Sequence, residues 1–378
     1  MLDNLKTYLV DDRSLNRTPK IAFFNNFVLE HLIKLYSRTE TIQECEETIA
    51  DAVHQFMLHL CTRPNEGICF ADNGWFPPKK TDNSGEKSVK IYNKVLLHML
   101  SSLRPTEDAK QIELLLAILN SCPELVPQYA KSLTSLSFDP RPSSKWMNNM
   151  GLLAKLIQLP TPKWLLYHDD SEDHPFIPST CSALPPVNTV VDNILPSNLS
   201  KAILSKGLQH PHSTVRYITV CILSLSFDKL KDVIEQCDSV ANHLSRSNED
   251  ASKWISFIAE IQSEYRRRIP DLQILLALLQ KDDQKTATST EETIEDTEFD
   301  VVLGAALGLL SNYARQFPEM VAETRFDIGK LTKNVFEASE ELQVRILEII
   351  ESSSDFKLWG ASESGMFLIQ NSFLLMTR

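Results

Sequence analysis

The chain has 378 residues, 43% of them hydrophobic and 23% charged, with ten glycines, seven cysteines and a formal net charge of -12. Ten glycines are less than half of ordinary usage, which argues against Rossmann, phosphate-loop and hairpin-rich β folds, all of which use glycine at left-handed turns and close backbone approaches. Length and apolar content allow a large buried core and exclude a mainly disordered chain.

The predicted elements are helical, taken in order by their 3.6-residue apolar period. Phe24, Phe27, Val28, Leu32 and Leu35 make a first stripe, with Asn25 and Glu30 opposite. Ile49, Val53, Phe56, Met57 and Leu60 make a second, and Val95, Leu96, Met99 and Leu103 a third. Pro105 breaks the pattern, and Thr106-Glu107-Asp108 offers a cap for a helix carrying Ile112, Leu115, Leu116 and Leu119. Trp146, Met150, Leu153, Leu156 and Ile157 follow. From 160 to 196 no helical period survives among many prolines, and the stretch reads as a long surface loop of the kind that is often functional.

Leu199, Ile203, Leu204 and Leu208 then open a helix pair. The His210-Pro211-His212 turn leads into Val215, Ile218, Ile222 and Leu225, a turn-then-Val-Arg pattern like that of a HEAT-type repeat. Trp254, Phe257, Ile258, Ile261 and Tyr265 form the next stripe, ended by Arg266-Arg267-Arg268, and Leu272, Leu275, Leu276 and Leu279 the one after. Residues 282–300 hold eight acidic residues and one lysine, a net of -7 that leaves only -5 for the rest of the chain. The folded part is therefore nearly neutral. Helices are expected again over 301–317, 328–336 and 342–350. The expected fold is all-α, an irregular α-solenoid of HEAT/armadillo-like helix pairs with a long proline-rich loop. Three domains are expected: a helical-repeat block over 1–281, an acidic disordered linker over 282–299 and further, incomplete helical repeats over 300–378. No apolar run reaches membrane-spanning length, and the widely spaced cysteines read as free buried thiols of a reducing, intracellular compartment.

The motifs of chemistry are weak. His54, His59, Cys61 and Cys69 cluster in sequence without metal-ligand spacing. Ser84 to Ser88 lacks the first glycine, the Gly-Lys dipeptide and the preceding strand of a phosphate loop, and the Gly360–Gly365 stretch is not a nucleophile elbow. Gly304 and Gly308 suit close helix packing. Asp169, Asp170, Glu172 and Asp173, with His168 and His174, read as a solvated acidic loop. No catalytic residue, metal or cofactor is expected. Arg266, Arg267 and Arg268 form the basic triplet, which suits either RNA phosphate or the negative end of their own helix. With Trp164 in the proline-rich loop, they are the candidates for RNA or partner contact. Ser289 and Thr293 each precede an acid by three residues and are candidate phosphorylation sites.

A series of short blocks goes further. Cys69-Phe70, Gly74-Trp75-Phe76-Pro77, Leu103-Arg104-Pro105, Cys122-Pro123-Glu124-Leu125-Val126 and Ser143-Ser144-Lys145-Trp146 lie in order. They are followed by Asn193-Ile194-Leu195-Pro196, Lys206-Gly207-Leu208, Val215-Arg216-Tyr217, Asp228-Lys229-Leu230 and Arg268-Ile269-Pro270-Asp271-Leu272. Together, over residues 18–281, they resemble the N-terminal domain of the nucleolar pre-ribosomal-associated protein family. The resemblance implies a nucleolar, non-enzymatic scaffold of early 60S assembly, on which large-subunit and 5.8S rRNA maturation depends. It implies pre-60S factors as partners, including a helicase-containing complex, with pre-rRNA and small nucleolar RNA as possible ligands, and neither a membrane nor a small-molecule substrate. The apolar stretch Met366 to Met376 is unsuited to an end-capping repeat, so the chain is expected to be part of something longer. The alternative is a HEAT-like protein-interaction adaptor that does not touch RNA.

Overall fold

The structure is a computed structural model that describes residues 2–41, 47–64, 66–70, 74–75, 91–162, 184–246, 251–280, 294–324 and residues 343, 344, 346 and 349. Among the described residues there is no strand, and the one β contact is an isolated antiparallel bridge between Thr41 and Thr48. The all-helical expectation is borne out. The chain divides into two compact units, one formed by 1–138, 148–199 and 232–267, the other by 139–147, 200–231 and 268–378.

The first unit starts with α1 (Leu2–Leu5), a π-helical turn (Lys6–Val10), α2 (Arg17–Phe23) and α3 (Asn26–Lys34). Asn25 caps α3 by accepting from Val28 N, so Phe24 falls outside that helix. As a result α3 buries Leu29 and Ile33, while Phe27 stays exposed on the opposite face. The stripe expected from the sequence is rotated by about a third of a turn, because the cap resets where the helical period begins. α4 (Ile49–Thr62) begins with a reciprocal capping box between Thr48 and Asp51 and buries Val53, Phe56, Met57 and Leu60 as the stripe demands.

α5 (Lys94–Ser102) and α6 (Ala109–Ser121) follow, the latter capped by Asp108, whose carboxylate accepts from Lys110 N at 2.8 Å. α4 packs against α6 and α3 against α5. α7 (Val126–Ser132) carries Pro127 in its first turn, where no backbone donor is needed. α8 (Ser144–Ile157) buries Trp146, Met150, Leu153, Leu156 and Ile157, as expected.

The proline-rich stretch needs one correction. Residues 163–183, Trp164 included, lie outside the described residues, but Val187–Ile194 is a helix, α9, and not loop. Pro185 and Pro186 end the extended backbone just before it, and Val190, Val191 and Ile194 are spaced to bury one face. Each such side chain, fully buried, stabilises the fold by about 1.5–3 kcal/mol. Lys131 of α7 secures the helix through Asp192 at 2.8 Å.

α10 (Lys201–Leu208), capped by Ser200, opens the 200–231 segment of the second unit. α11 (Ser213–Arg246) runs 34 residues, its first part in the second unit and residues 232–246 in the first. α12 (Ser252–Arg268) buries Trp254, Phe257, Ile261 and Tyr265. α13 (Leu272–Gln280), α14 (Ile294–Gln316) and α15 (Pro318–Glu323) complete the described helices of the second unit. α13 packs on α14 and on α10, and the Tyr313 hydroxyl of α14 donates to Pro270 O at 2.9 Å. α14 starts at Ile294, so regular helix already covers the end of the stretch expected to be linker. Residues 281–293, with Ser289 and Thr293, lie outside the described residues, as do 351–378.

Candidate functional site

The basic triplet closes α12, where the last carbonyls of a helix favour positive charge. Arg267 is the most exposed of the three, and its guanidinium holds Glu264 at 3.0 Å one turn back. Arg266 and Arg268 are half-buried. The buried Trp254, Phe257, Ile261 and Tyr265 stripe anchors the helix, so the guanidinium groups are presented from a fixed element.

The blocks that carry the family resemblance do structural work. Phe70 N donates to Asn93 Oδ1 at 3.0 Å and Phe70 O accepts from Asn93 Nδ2 at 2.9 Å, a two-bond clasp between the loop after α4 and the start of α5. Glu124 Oε1 accepts from Tyr92 N and Asn93 N at 2.9 and 3.0 Å. Burial pushes the Glu124 carboxyl above the usual range, against those two amides, which favour its anion. The Arg17 guanidinium lies 3.3 Å over the Phe70 ring and donates to Tyr92 O at 2.6 Å. Cys69 and Cys122 are both fully buried, with sulfurs 3.4 Å apart. Gly74 takes a positive φ of 54°, the conformation that glycine adopts without strain, and the neighbouring Trp75 is buried. In the second unit, Lys206 pairs with Asp139 at 2.6 Å and Lys201 with Asp271 at 2.7 Å.

The four candidate ligands clustered in sequence do not come together as one ligand group among the described residues. His54 shares a hydrogen bond with the Tyr36 hydroxyl at 3.1 Å and points its other nitrogen toward Glu113. Cys61 is fully buried, and Cys69 faces Cys122. His59 instead meets Asp11, and Glu66 completes a group of three whose ligand atoms all lie within 4.8 Å of one another. Sequence reasoning missed Asp11 and Glu66. They stand 48 residues before and seven after His59, and no local motif links them.

The picture is of an all-helical protein whose sequence blocks fasten helices and loops to one another. Residues 1–149 match the family described as Npa1, ribosome 60S biogenesis N-terminal. The chain is also 24% identical to nucleolar pre-ribosomal-associated protein 1 of Homo sapiens and 24% to that of Saccharomyces cerevisiae (strain ATCC 204508 / S288c), over 97% and 87% of its own length. It is 25% identical to the Mus musculus protein of the same name over 97% of its length. The resemblance read from the sequence blocks is thus borne out. It extends beyond 18–281, since an alignment over 97% of the chain must take in most of 300–378. The chain spans 17% of the length of each of these relatives. Among the described residues no helix is long and apolar enough to cross a membrane.

Proposed function

We propose that the chain is a non-enzymatic scaffold segment acting in early 60S ribosomal subunit assembly in the nucleolus. The match of residues 1–149 to the 60S biogenesis N-terminal family carries this reading. Relatives named as nucleolar and pre-ribosomal-associated, similar along nearly the whole chain, support it. The mechanism is positional. Helix pairs, in the HEAT/armadillo-like manner suggested by the sequence, present fixed faces that hold assembly factors and pre-rRNA at defined separations and so raise their effective concentration. Maturation of large-subunit and 5.8S rRNA then depends on contacts and not on bond chemistry. Its partners are pre-60S factors, including a helicase-containing complex, with pre-rRNA and small nucleolar RNA as RNA ligands.

Arg266, Arg267 and Arg268 are the residues proposed to touch RNA phosphate, with Trp164 as a stacking or partner-contact residue and Ser289 and Thr293 as phosphorylation sites. Ultraviolet crosslinking of the tagged chain in growing cells, followed by sequencing of bound RNA, tests the reading. Large-subunit pre-rRNA or small nucleolar RNA should be enriched, and reversal of the triplet to glutamate should reduce the yield several-fold. Recovery of neither RNA nor pre-60S factors would overturn the reading in favour of an adaptor elsewhere in the cell.

A further inference from the structure

We propose that Asp11, His59 and Glu66 form a binding site for a divalent transition metal of the zinc class. Their ligand atoms lie within 4.8 Å of one another, and they come from three separate places: the cap of the first π-helical turn, the last turn of α4 and the loop after it. Zinc bonds nitrogen and oxygen at about 2.0–2.2 Å, so a tetrahedral shell brings its donors to about 3.4 Å from one another.

Two independent devices hold the three segments in place. Lys20 is 3% exposed, and its ammonium donates to Val10 O at 2.7 Å and to Glu66 O, so one buried cation ties the backbone beside Asp11 to the backbone of Glu66. Gly67 allows the loop to lie directly on α4. A Cβ there would stand 2.0 Å from Leu60 O, and Ile68 N donates to that same carbonyl at 3.0 Å. This backbone contact sets Glu66 beside His59, one residue before Leu60.

Access and donor type point to the same class of ligand. The His59 side chain is 8% exposed, whereas those of Asp11 and Glu66 are 39% and 37% exposed. The imidazole is therefore fixed from within, and the two carboxylates form an open side by which an ion enters and through which water fills the remaining position. One imidazole and two carboxylates suit zinc and its neighbours; they lack the thiolates of a copper(I) site and the all-oxygen shell of magnesium or calcium. His59 pairs with Asp11, and Arg63 approaches Glu66 at 3.5 Å. That exposed pair is loose enough to be given up. The bound ion would staple the N-terminal segment to α4 within the part of the chain matched by the 60S family.

Isothermal titration of the full chain with zinc chloride, paired with thermal melts, tests the site. One equivalent should bind and raise the melting temperature, magnesium should not compete, and Asp11→Asn and Glu66→Gln should each weaken binding at least tenfold. Both variants alter half-exposed side chains, so their metal-free melts report whether the fold is kept; His59→Ala is the third variant. Zinc binding undiminished in Asp11→Asn and Glu66→Gln, or abolished only by thiol alkylation, would overturn the assignment, as would no binding at about 0.1 mM zinc, a concentration far above the dissociation constant of a structural zinc site.

Discussion

Gly207, in the last turn of α10, sits against Thr219 of α11, and the contact is tight enough to reverse the usual effect of a helix substitution. A Cβ at 207 would stand 2.4 Å from Thr219 Oγ1, 2.9 Å from Cγ2 and 3.2 Å from Cβ. Thr219 is 1% exposed, its hydroxyl donates to Val215 O at 2.8 Å, and a β-branched side chain in a helix has little freedom at χ1. Gly207→Ala therefore meets an overpacking cost of about 1–3 kcal/mol, set against about 0.8–1.0 kcal/mol gained from helix propensity. The net is a loss of about 1 kcal/mol at the middle of the overpacking range. Thr219→Ala removes the two nearest atoms and leaves one contact at 3.2 Å. In that background Gly207→Ala should stabilise by about 0.5 kcal/mol, a coupling of about 1.5 kcal/mol between the two sites. Urea unfolding of the four proteins of the cycle, followed by helical circular dichroism, measures both numbers. If Gly207→Ala has the same sign in both backgrounds, or the two changes add to within about 0.3–0.5 kcal/mol, the packing argument fails.

Three further outcomes follow from the same contacts. Asn93→Ala should cost about 2–3 kcal/mol in urea unfolding, because both Phe70 backbone groups lose their partners and a half-buried unpaired amide or carbonyl costs about 1 kcal/mol or more each; a loss under 0.5 kcal/mol would mean that water replaces the clasp. Asp51 is held below the usual carboxylate range, first by the Lys110 ammonium 2.6 Å away and then by Thr48, so its contribution is present above that range and lost as pH falls through its lowered value. The melting temperature of Asp51→Asn should thus lie below wild type at neutral pH and converge with it in acid, and a gap independent of pH would contradict the pairing. Burial first, and Asp238 second, push the Cys237 thiol up to about 12, so at pH 8 it should resist iodoacetamide in the native chain; peptide mapping should show half-buried Cys221 alkylated before Cys61, Cys69, Cys122 and Cys237.

How far the sequence could be read depended on how local the deciding contact was. The stripes of α4 and α8 were legible because a long helix packed on one side repeats its apolar residues at its own period. α3 was misaligned, since Asn25 accepts from Val28 N and restarts the helix there, which turns Phe27 outward. α9 escaped notice because its eight residues are too few to show a period and lie among prolines that normally signal loop.

The order of the family blocks could be read from the chain, but their work could not. Nothing in Cys69-Phe70 and Cys122-Pro123-Glu124 says that the two sulfurs meet at 3.4 Å, or that Glu124 holds the amides of Tyr92 and Asn93. The sequence by itself determined an all-helical, glycine-poor chain, because apolar period and glycine scarcity are properties of neighbours along the backbone, and its ordered blocks carried the resemblance to the 60S biogenesis N-terminal family. Only the tertiary structure decided that His59 meets Asp11 and Glu66 and not Cys61. That pairing rests on one buried lysine donating to the carbonyls of Val10 and Glu66 and on one glycine lying against Leu60, contacts that no local spacing encodes.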